Sequence, residues 1–127
     1  MGGMLTTIRP NNREPMMDFA QEQAGDVLIV RLAGRLDSSA APGAEQNFAG
    51  VLGGATPHLA IDLSSLEYIS SAGLRVLLIV AKKVQQAQGK VALCGLTPNV
   101  REIFAISGFD AIFSIQPDAA AAIAAVR

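Results

Sequence analysis

The stretch that decides this fold is residues 61–74, with the sequence IDLSSLEYISSAGL. Its first residues complete an apolar strand predicted at 58–63, and a polar turn is predicted to follow at Ser64-Ser65. A pair of serines then stands where a long helix begins, which is predicted at 71–88 with Gly89 as its C-terminal signal. A buried strand that leads into a helix of this length indicates a crossover to a parallel neighbour.

Strand and helix signals alternate along the rest of the chain in the order β-β-α-β-α-β-α-β-α. Helical crossovers imply parallel pairing, and a hairpin predicted around Gly25 makes the sheet mixed. The predicted fold class is therefore α/β, with a mixed, largely parallel β-sheet and helices packed against it. The strands are predicted at 17–23, 27–32, 58–63, 91–96 and 112–115, and the helices between Asp37-Ser38-Ser39 and Leu52, over 71–88, from Pro98 to Ser107, and from Pro117 onward.

The domain is predicted to span residues 17–127, because a chain of 127 residues has the usual size of a single domain with one hydrophobic core. Residues 1–16 stand apart, since they carry Gly-Gly, Asn-Asn and two prolines without sustained periodicity. We expect them to be a flexible N-terminal arm or non-native residues. A short strand at 5–8 is the alternative.

Composition argues against several functions. Ten Lys and Arg against eleven Asp and Glu leave a net charge of −1, so we predict no nucleic-acid partner, because such proteins need an excess of cations. The single cysteine, Cys94, and the single histidine, His58, argue against an internal disulfide and a metal site. No apolar run reaches about 18 residues and no signal peptide is evident, so we expect no membrane insertion and a cytoplasmic location.

Ser71 is not predicted to be a catalytic nucleophile. The first glycine of a nucleophile elbow would fall at Ile69, and His58 is expected at the opposite end of the sheet. The glycines within 50–54 follow a helix instead of opening one, so they do not form a phosphate loop. The sequence therefore predicts a protein without enzymatic activity and without a cofactor.

The long helix has two distinct faces. Val76 and Ile79 lie off its predicted core stripe, and Ile79 falls beside the basic residues Arg75, Lys82 and Lys83. An exposed apolar pair ringed by cations is typical of a protein-binding surface, and a second helix that covers the pair is an equally good explanation. The core-facing stripe is predicted to comprise Leu74, Leu77, Leu78, Ala81, Val84 and Gln88.

Ser70 and Ser71 stand at the start of that helix, where backbone N–H groups are unpaired and the helix dipole favours negative charge. A phosphate added there would be stabilised by the helix end. From the residue types alone, plain N-capping is the better explanation of a serine at this place.

Taken together, these motifs resemble the STAS domain, and specifically the single-domain anti-sigma factor antagonists of bacterial partner-switching systems. The family pattern runs from an apolar strand through Asp-Leu-Ser and a leucine–aromatic–aliphatic step to a serine-containing turn that opens a helix with Gly-Leu. The likeness covers residues 17–127 with the same order of elements. It is carried by Gly34-Arg35-Leu36-Asp37, Asp62-Leu63-Ser64, Leu66, Tyr68-Ile69, Ser71-Ala72-Gly73-Leu74, Leu96-Thr97-Pro98-Asn99-Val100, Phe104 and Ser107-Gly108-Phe109.

The resemblance implies a switch rather than a catalyst. In this family the antagonist binds a partner that is both a serine kinase and an anti-sigma factor, and phosphorylation of the serine that matches Ser71 releases it. A serine phosphatase then resets the switch. Asp37 matches an acidic residue near the phosphorylated serine, and Ser70, where the family often has aspartate, is the secondary candidate for phosphorylation.

The partner-binding surface is expected on the exposed helix face and the adjoining loop. The alternative function is a structural STAS subunit of an ABC-type lipid transport system, which would use the same helix face without phosphorylation. The residues expected to contact the partner are Asp37, Ser70, Ala72, Gly73, Arg75, Val76, Ile79 and Lys83.

Overall fold

A mixed sheet with its strands in chain order organises the part of the molecule that the structure describes. The computed structural model describes residues 6–8, 17–52 and 58–127. The first three strands pair antiparallel, and the later ones pair parallel through helical crossovers, so the predicted fold class is confirmed. The strands are β1 (Thr6–Ile8), β2 (Met17–Ala24), β3 (Val27–Leu36), β4 (His58–Ile69), β5 (Lys90–Cys94) and β6 (Ser114–Gln116).

Helices cover both faces of this sheet. The main core lies between one face and the first three helices, where Phe48, Leu77 and Phe104 pack against strand residues such as Leu32. A smaller core lies on the other face, where alternate strand residues such as Ile29 meet the last helix. The helices are α1 (Ala41–Leu52), α2 (Ser71–Gln86), α3 (Pro98–Ser107) and α4 (Ala119–Val126).

Two central strands are longer than the sequence predicts. β3 continues to Leu36 and β4 continues to Ile69, so the polar turn predicted at Ser64-Ser65 is wrong. Both serines are exposed strand residues, and the pairing of β3 with β4 shifts register beside them. The Asp62 carboxylate accepts the Ser64 N–H at 2.9 Å, as in a local turn, yet the strand continues beyond it. A bulge therefore carries the polar residues that resembled a turn.

Several other boundaries differ by a few residues. The last strand lies at Ser114–Gln116 instead of 112–115, because Phe109–Ala111 form a 3-10 turn that carries the chain further before pairing resumes. α2 ends at Gln86, and its left-handed terminal residue is Gln88 (φ 61°), so the C-terminal signal falls one residue before Gly89. α4 begins after the N-cap Asp118, one residue beyond Pro117.

The N-terminal region contributes a strand. Thr6–Ile8 form β1 and pair antiparallel with residues 19–21 of β2, which agrees with the alternative of a short strand at 5–8. The rest of the predicted arm within 1–16 lies outside the described residues. The hairpin between β2 and β3 is confirmed, and Gly25 supplies the positive φ of its turn.

The buried face of α2 is rotated from the predicted stripe. Val76, which the sequence predicts to be exposed, is 2% exposed and belongs to the main core, which also contains residues of α1, in agreement with the alternative of a second helix. Leu78 is only half-buried and Gln88 is exposed, so neither lies in the core. The reason is that α2 packs against both α1 and the sheet, and its buried residues therefore fill a wider arc than one stripe. They are Gly73, Leu74, Val76, Leu77, Val80, Ala81 and Val84.

No helix in the described ranges is long and apolar enough to span a membrane.

Candidate functional site

The site lies at the carboxyl ends of β3 and β4, which are neighbouring parallel strands. Leu36 and Ile69 are paired at the last register position of these strands. The residue after β4, Ser70, donates its backbone N–H to the Leu36 carbonyl at 2.9 Å. Asp37 follows Leu36 directly, so the fold brings Asp37 and the serine pair together as the sequence predicts.

Ser70 is the N-cap of α2. It has extended backbone angles (φ −93°, ψ 173°), and its Oγ accepts the Gly73 N–H at 3.2 Å while it donates to the Leu36 carbonyl at 3.4 Å. This side chain is half-buried and satisfies one of the unpaired N–H groups of the first turn. Plain N-capping therefore applies to the first serine of the pair.

Ser71 is different, because it is the first residue of the helix and is exposed. Within the described residues its hydroxyl has no hydrogen-bond partner. The first turn of α2 also contains no acidic residue. An enzyme can therefore reach the Ser71 hydroxyl without breaking a contact that holds the helix.

Gly73 allows the first turn of α2 to lie against the end of β3. A Cβ atom at this position would be 2.6 Å from the Leu36 carbonyl oxygen and 2.8 Å from both Ile69 Cγ1 and Leu36 Cγ. These distances are shorter than any side chain tolerates, and one of the obstacles is backbone. Gly73 is buried against β3, so the expectation that it contacts the partner is wrong.

Asp37 has a structural role beside the serines. Its carboxylate accepts the backbone N–H groups of Ser39 at 3.1 Å and Ala40 at 3.0 Å, which orders the turn before α1. The helix-starting role predicted for Asp37-Ser38-Ser39 is therefore confirmed, with Pro42 in the first turn of α1. The Asp37 carboxylate is therefore held by the turn before α1, one residue beyond the Leu36 carbonyl that binds Ser70.

The outward side of α2 combines cations with an apolar centre. Arg75, Lys82 and Lys83 are exposed, and Ile79 is half-buried among them. Ala72 is half-buried near the start of the helix. We define Ser71, Arg75, Ile79, Lys82 and Lys83 as the outer face of α2. Within the described residues these cations have no ion pair, so their charge is available to a partner.

A family model decides the relationship of this chain to known proteins. The model of the STAS domain matches residues 18–122, which contain the whole site. The chain belongs to the STAS domain family.

Relatives of this STAS domain share most of its length. A Bordetella bronchiseptica protein that carries the name anti-sigma factor antagonist BtrV is 41% identical over 111 residues, which are 87% of this chain and 96% of that protein. The crystal structure of an anti-sigma factor antagonist from Mycobacterium paratuberculosis matches with a TM-score of 0.78 at 28% identity, over 98% of this chain and 95% of that one.

A more distant neighbour shares the fold of this STAS domain. SpoIIAA, a Bacillus cell fate determinant whose structure was solved in its phosphorylated form, matches with a TM-score of 0.61 at 20% identity. The match covers 79% of this chain and 92% of that one.

One contact of the STAS domain at this end of the sheet was missed by sequence reasoning. The Arg35 guanidinium lies 4.5 Å from the centre of the Tyr68 ring, as a cation–π contact across the paired ends of β3 and β4. The pair is separated by 33 positions in the sequence. The parallel register of β3 and β4 could have predicted this contact, because it aligns Gly34-Arg35-Leu36 with the residues that lead to Ser70.

The other chemically interesting residues lie away from the site. His58 begins β4, roughly 35 Å from the end of that strand at about 3.3 Å per residue, so it is far from Ser71. It is half-buried rather than solvated, and among the described residues its Nδ1 has no hydrogen-bond partner. Burial raises the pKa of the Cys94 thiol to about 12, which keeps it protonated and inert. In the described ranges no group of three His, Cys, Asp or Glu residues could hold a metal ion.

Proposed function

We propose that this STAS domain is an anti-sigma factor antagonist of a partner-switching system. In its unphosphorylated form it binds a protein that is both a serine kinase and an anti-sigma factor, and phosphorylation of Ser71 releases it. The observation that carries this proposal is the division of roles between the two serines. Ser70 holds the helix start, and Ser71 is exposed without a hydrogen-bond partner among the described residues.

The chemistry of the outer face of α2 supports this role. Its apolar centre at Ile79 suits a protein interface, and its cations suit an acidic partner surface. Phosphorylation would add a charge of about −1.5 to −2 at the edge of this face, at the same end of the sheet as Asp37. Such a group is costly to bury against a partner without matched cations, so one modification can change the affinity strongly.

The partner set follows from the same proposal. A serine phosphatase would restore the binding form, and both encounters would take place in the cytoplasm. The protein itself acts by binding rather than by catalysis. Val76 is removed from the expected interface, because it is buried in the main core. Gly73 is removed for the same reason, because it is buried against the end of β3. The interface residues that remain are Asp37, Ser70, Ala72, Arg75, Ile79 and Lys83.

The alternative of a structural subunit in an ABC-type lipid transport system is not favoured. The relatives that match nearly the full chain carry the name of anti-sigma factor antagonists. A structural subunit would also have no need for an unbonded serine at the edge of its binding face. The two functions are separated by the effect of charge at position 71.

Phosphorylation should occur at Ser71 and not at Ser70. Incubation with the cognate kinase and ATP is expected to add one phosphate, which tandem mass spectrometry should assign to Ser71. Ser70 should remain unmodified, because its hydroxyl is half-buried and bonded to Gly73 and Leu36. Modification at Ser70 alone, or none by a proven cognate kinase, would refute the assignment.

Charge at position 71 should control binding. Ser71→Ala is expected to weaken kinase binding by about tenfold at most, the value of one ordinary hydrogen bond. Ser71→Glu is expected to weaken it by about tenfold to a hundredfold, although a carboxylate carries less charge than a phosphate. A calorimetric titration against the purified kinase measures both affinities.

The matched control for this titration is Ser65→Glu, which adds the same charge at an exposed serine of β4 outside the outer face of α2. It should bind like the wild type. If Ser71→Ala and Ser71→Glu bind alike while both remain folded, charge at Ser71 is not the switch and the transport function gains support.

A further inference from the structure

Ser71 and Arg75 lie four residues apart on α2, one turn of helix. Residues with this spacing have their Cβ atoms about 6 Å apart on the same face, which is the arrangement of helical ion pairs. Both side chains are exposed. The guanidinium of Arg75 can therefore reach a group attached to the Ser71 oxygen without any change in the backbone.

Arg75 also has nothing else to bind in the described part of the chain. Arg31 pairs with Glu22 and Asp62, Arg127 pairs with Asp26, and Arg35 lies over Tyr68, whereas Arg75 has neither an ion pair nor a ring contact there. No acidic residue occupies the first turn of α2. An anion placed on Ser71 would thus meet no internal competitor for this arginine.

The other charged groups near Ser71 cannot take this role. Asp37 is negative, and its carboxylate is held by the N–H groups of Ser39 and Ala40. Lys82 and Lys83 are eleven and twelve residues further along α2. At about 1.5 Å per residue, Lys82 is about 16 Å away along the helix axis, beyond the Debye length of about 8 Å in physiological salt.

We propose that Arg75 is the intramolecular counterion of phosphorylated Ser71, an inference that rests on the proposed function. Its fork of N–H groups donates to the phosphate oxygens, a charge-assisted contact that a neutral serine cannot make. Phosphorylation then changes the binding face twice. It adds negative charge at the end of the sheet where Asp37 lies, and it withdraws from the partner a cation that is exposed in the unphosphorylated form.

A phosphorus NMR titration of the isolated protein tests this pairing directly. Phosphoserine is incorporated at position 71 during translation, so no kinase is needed, and the pH dependence of the ³¹P shift gives the second pKa of the phosphate. A nearby cation stabilises the dianion and lowers this pKa below its ordinary value of about 6. Arg75→Gln is expected to raise the pKa by about 0.3, the equivalent of one exposed ion pair.

Two further variants separate pairing from general charge effects. Lys82→Gln removes the same charge from the same helix and should change the phosphate pKa by less than about 0.1. Arg75→Lys keeps the charge, so its phosphate pKa should lie closer to that of the wild type than to that of Arg75→Gln. In about 1 M salt the Debye length is about 3 Å, so the difference in phosphate pKa between the wild type and Arg75→Gln should shrink.

The proposal is overturned if Arg75→Gln leaves the phosphate pKa unchanged, or if Lys82→Gln raises it equally. A thermal melt of each variant verifies the fold, and Arg75→Met, which also removes the charge and favours a helix, replaces Arg75→Gln should that variant prove unstable. The titration contains no partner protein. Failure of the pairing is therefore distinct from failure of the proposed function, which would appear as unchanged kinase affinity after phosphorylation.

Discussion

Replacing Gly73 with alanine is expected to destabilise the domain by about 3 kcal/mol, the upper part of the range for overpacked sites. The added Cβ would lie 2.6 Å from the Leu36 carbonyl oxygen and 2.8 Å from Ile69 Cγ1. Backbone cannot yield as a flexible side chain can, so α2 must move away from β3. That movement also strains the hydrogen bonds by which Ser70 is held to Leu36 and Gly73.

The sign of this effect is diagnostic, because alanine normally stabilises a helix relative to glycine by about 0.5–1 kcal/mol. Gly50 in α1 provides the matched control, since a Cβ there would meet nothing within 4 Å. Gly50→Ala should therefore stabilise the protein. Urea unfolding of both variants measures the two free energies, and a Gly73→Ala protein as stable as the wild type would show that α2 does not need its close approach to β3.

Leu77→Ala is expected to cost about 2–5 kcal/mol, a large part of the stability of a small domain. Leu77 is 0% exposed and lies in the core between α2 and the sheet, so its truncation leaves a cavity that neighbouring side chains fill only partly. The loss should appear as a lower urea midpoint with an unchanged dependence on denaturant.

The neighbouring residues of α2 supply the comparison. Leu78 is half-buried, so Leu78→Ala should lower the free energy of unfolding by only about 1 kcal/mol. Lys82 is exposed, so Lys82→Ala should lower it by less than about 0.5 kcal/mol. Similar losses at Leu77 and Leu78 would contradict the orientation of α2 in the structure.

Local sequence signals predicted most of the fold. Each of three segments carries a strong local signal, and the structure has an element at each place: the β-branched run of β3, the strand that begins at His58 and the helix that begins at Ser71. The errors have tertiary causes. Ser64-Ser65 resemble a turn, but β4 is held in place by its neighbours through that point. Val76 is buried in the main core, to which α1 also contributes residues, and no local pattern reveals packing between elements that are separate in the chain.

The candidate site shows the same limit. The resemblance to the family located Asp37, Ser70 and Ser71, and the fold brings them to one end of the sheet. Residue types alone could not say which serine caps the helix, because either can accept a hydrogen bond from the first turn. That assignment depends on how the end of β4 sits against the Leu36 carbonyl, which only the paired strands define.

The hydrogen bond between Ser70 and Gly73 bears on the speed of regulation. Ser71 is not a partner in this bond, so a charge placed on Ser71 need not break it, and the backbone need not rearrange when the modification is added or removed. Segments that order or melt take microseconds to seconds, and a rigid helix start avoids that step altogether. The response time of the proposed switch is then determined by enzyme turnover and by the departure of the partner, with no lag from refolding.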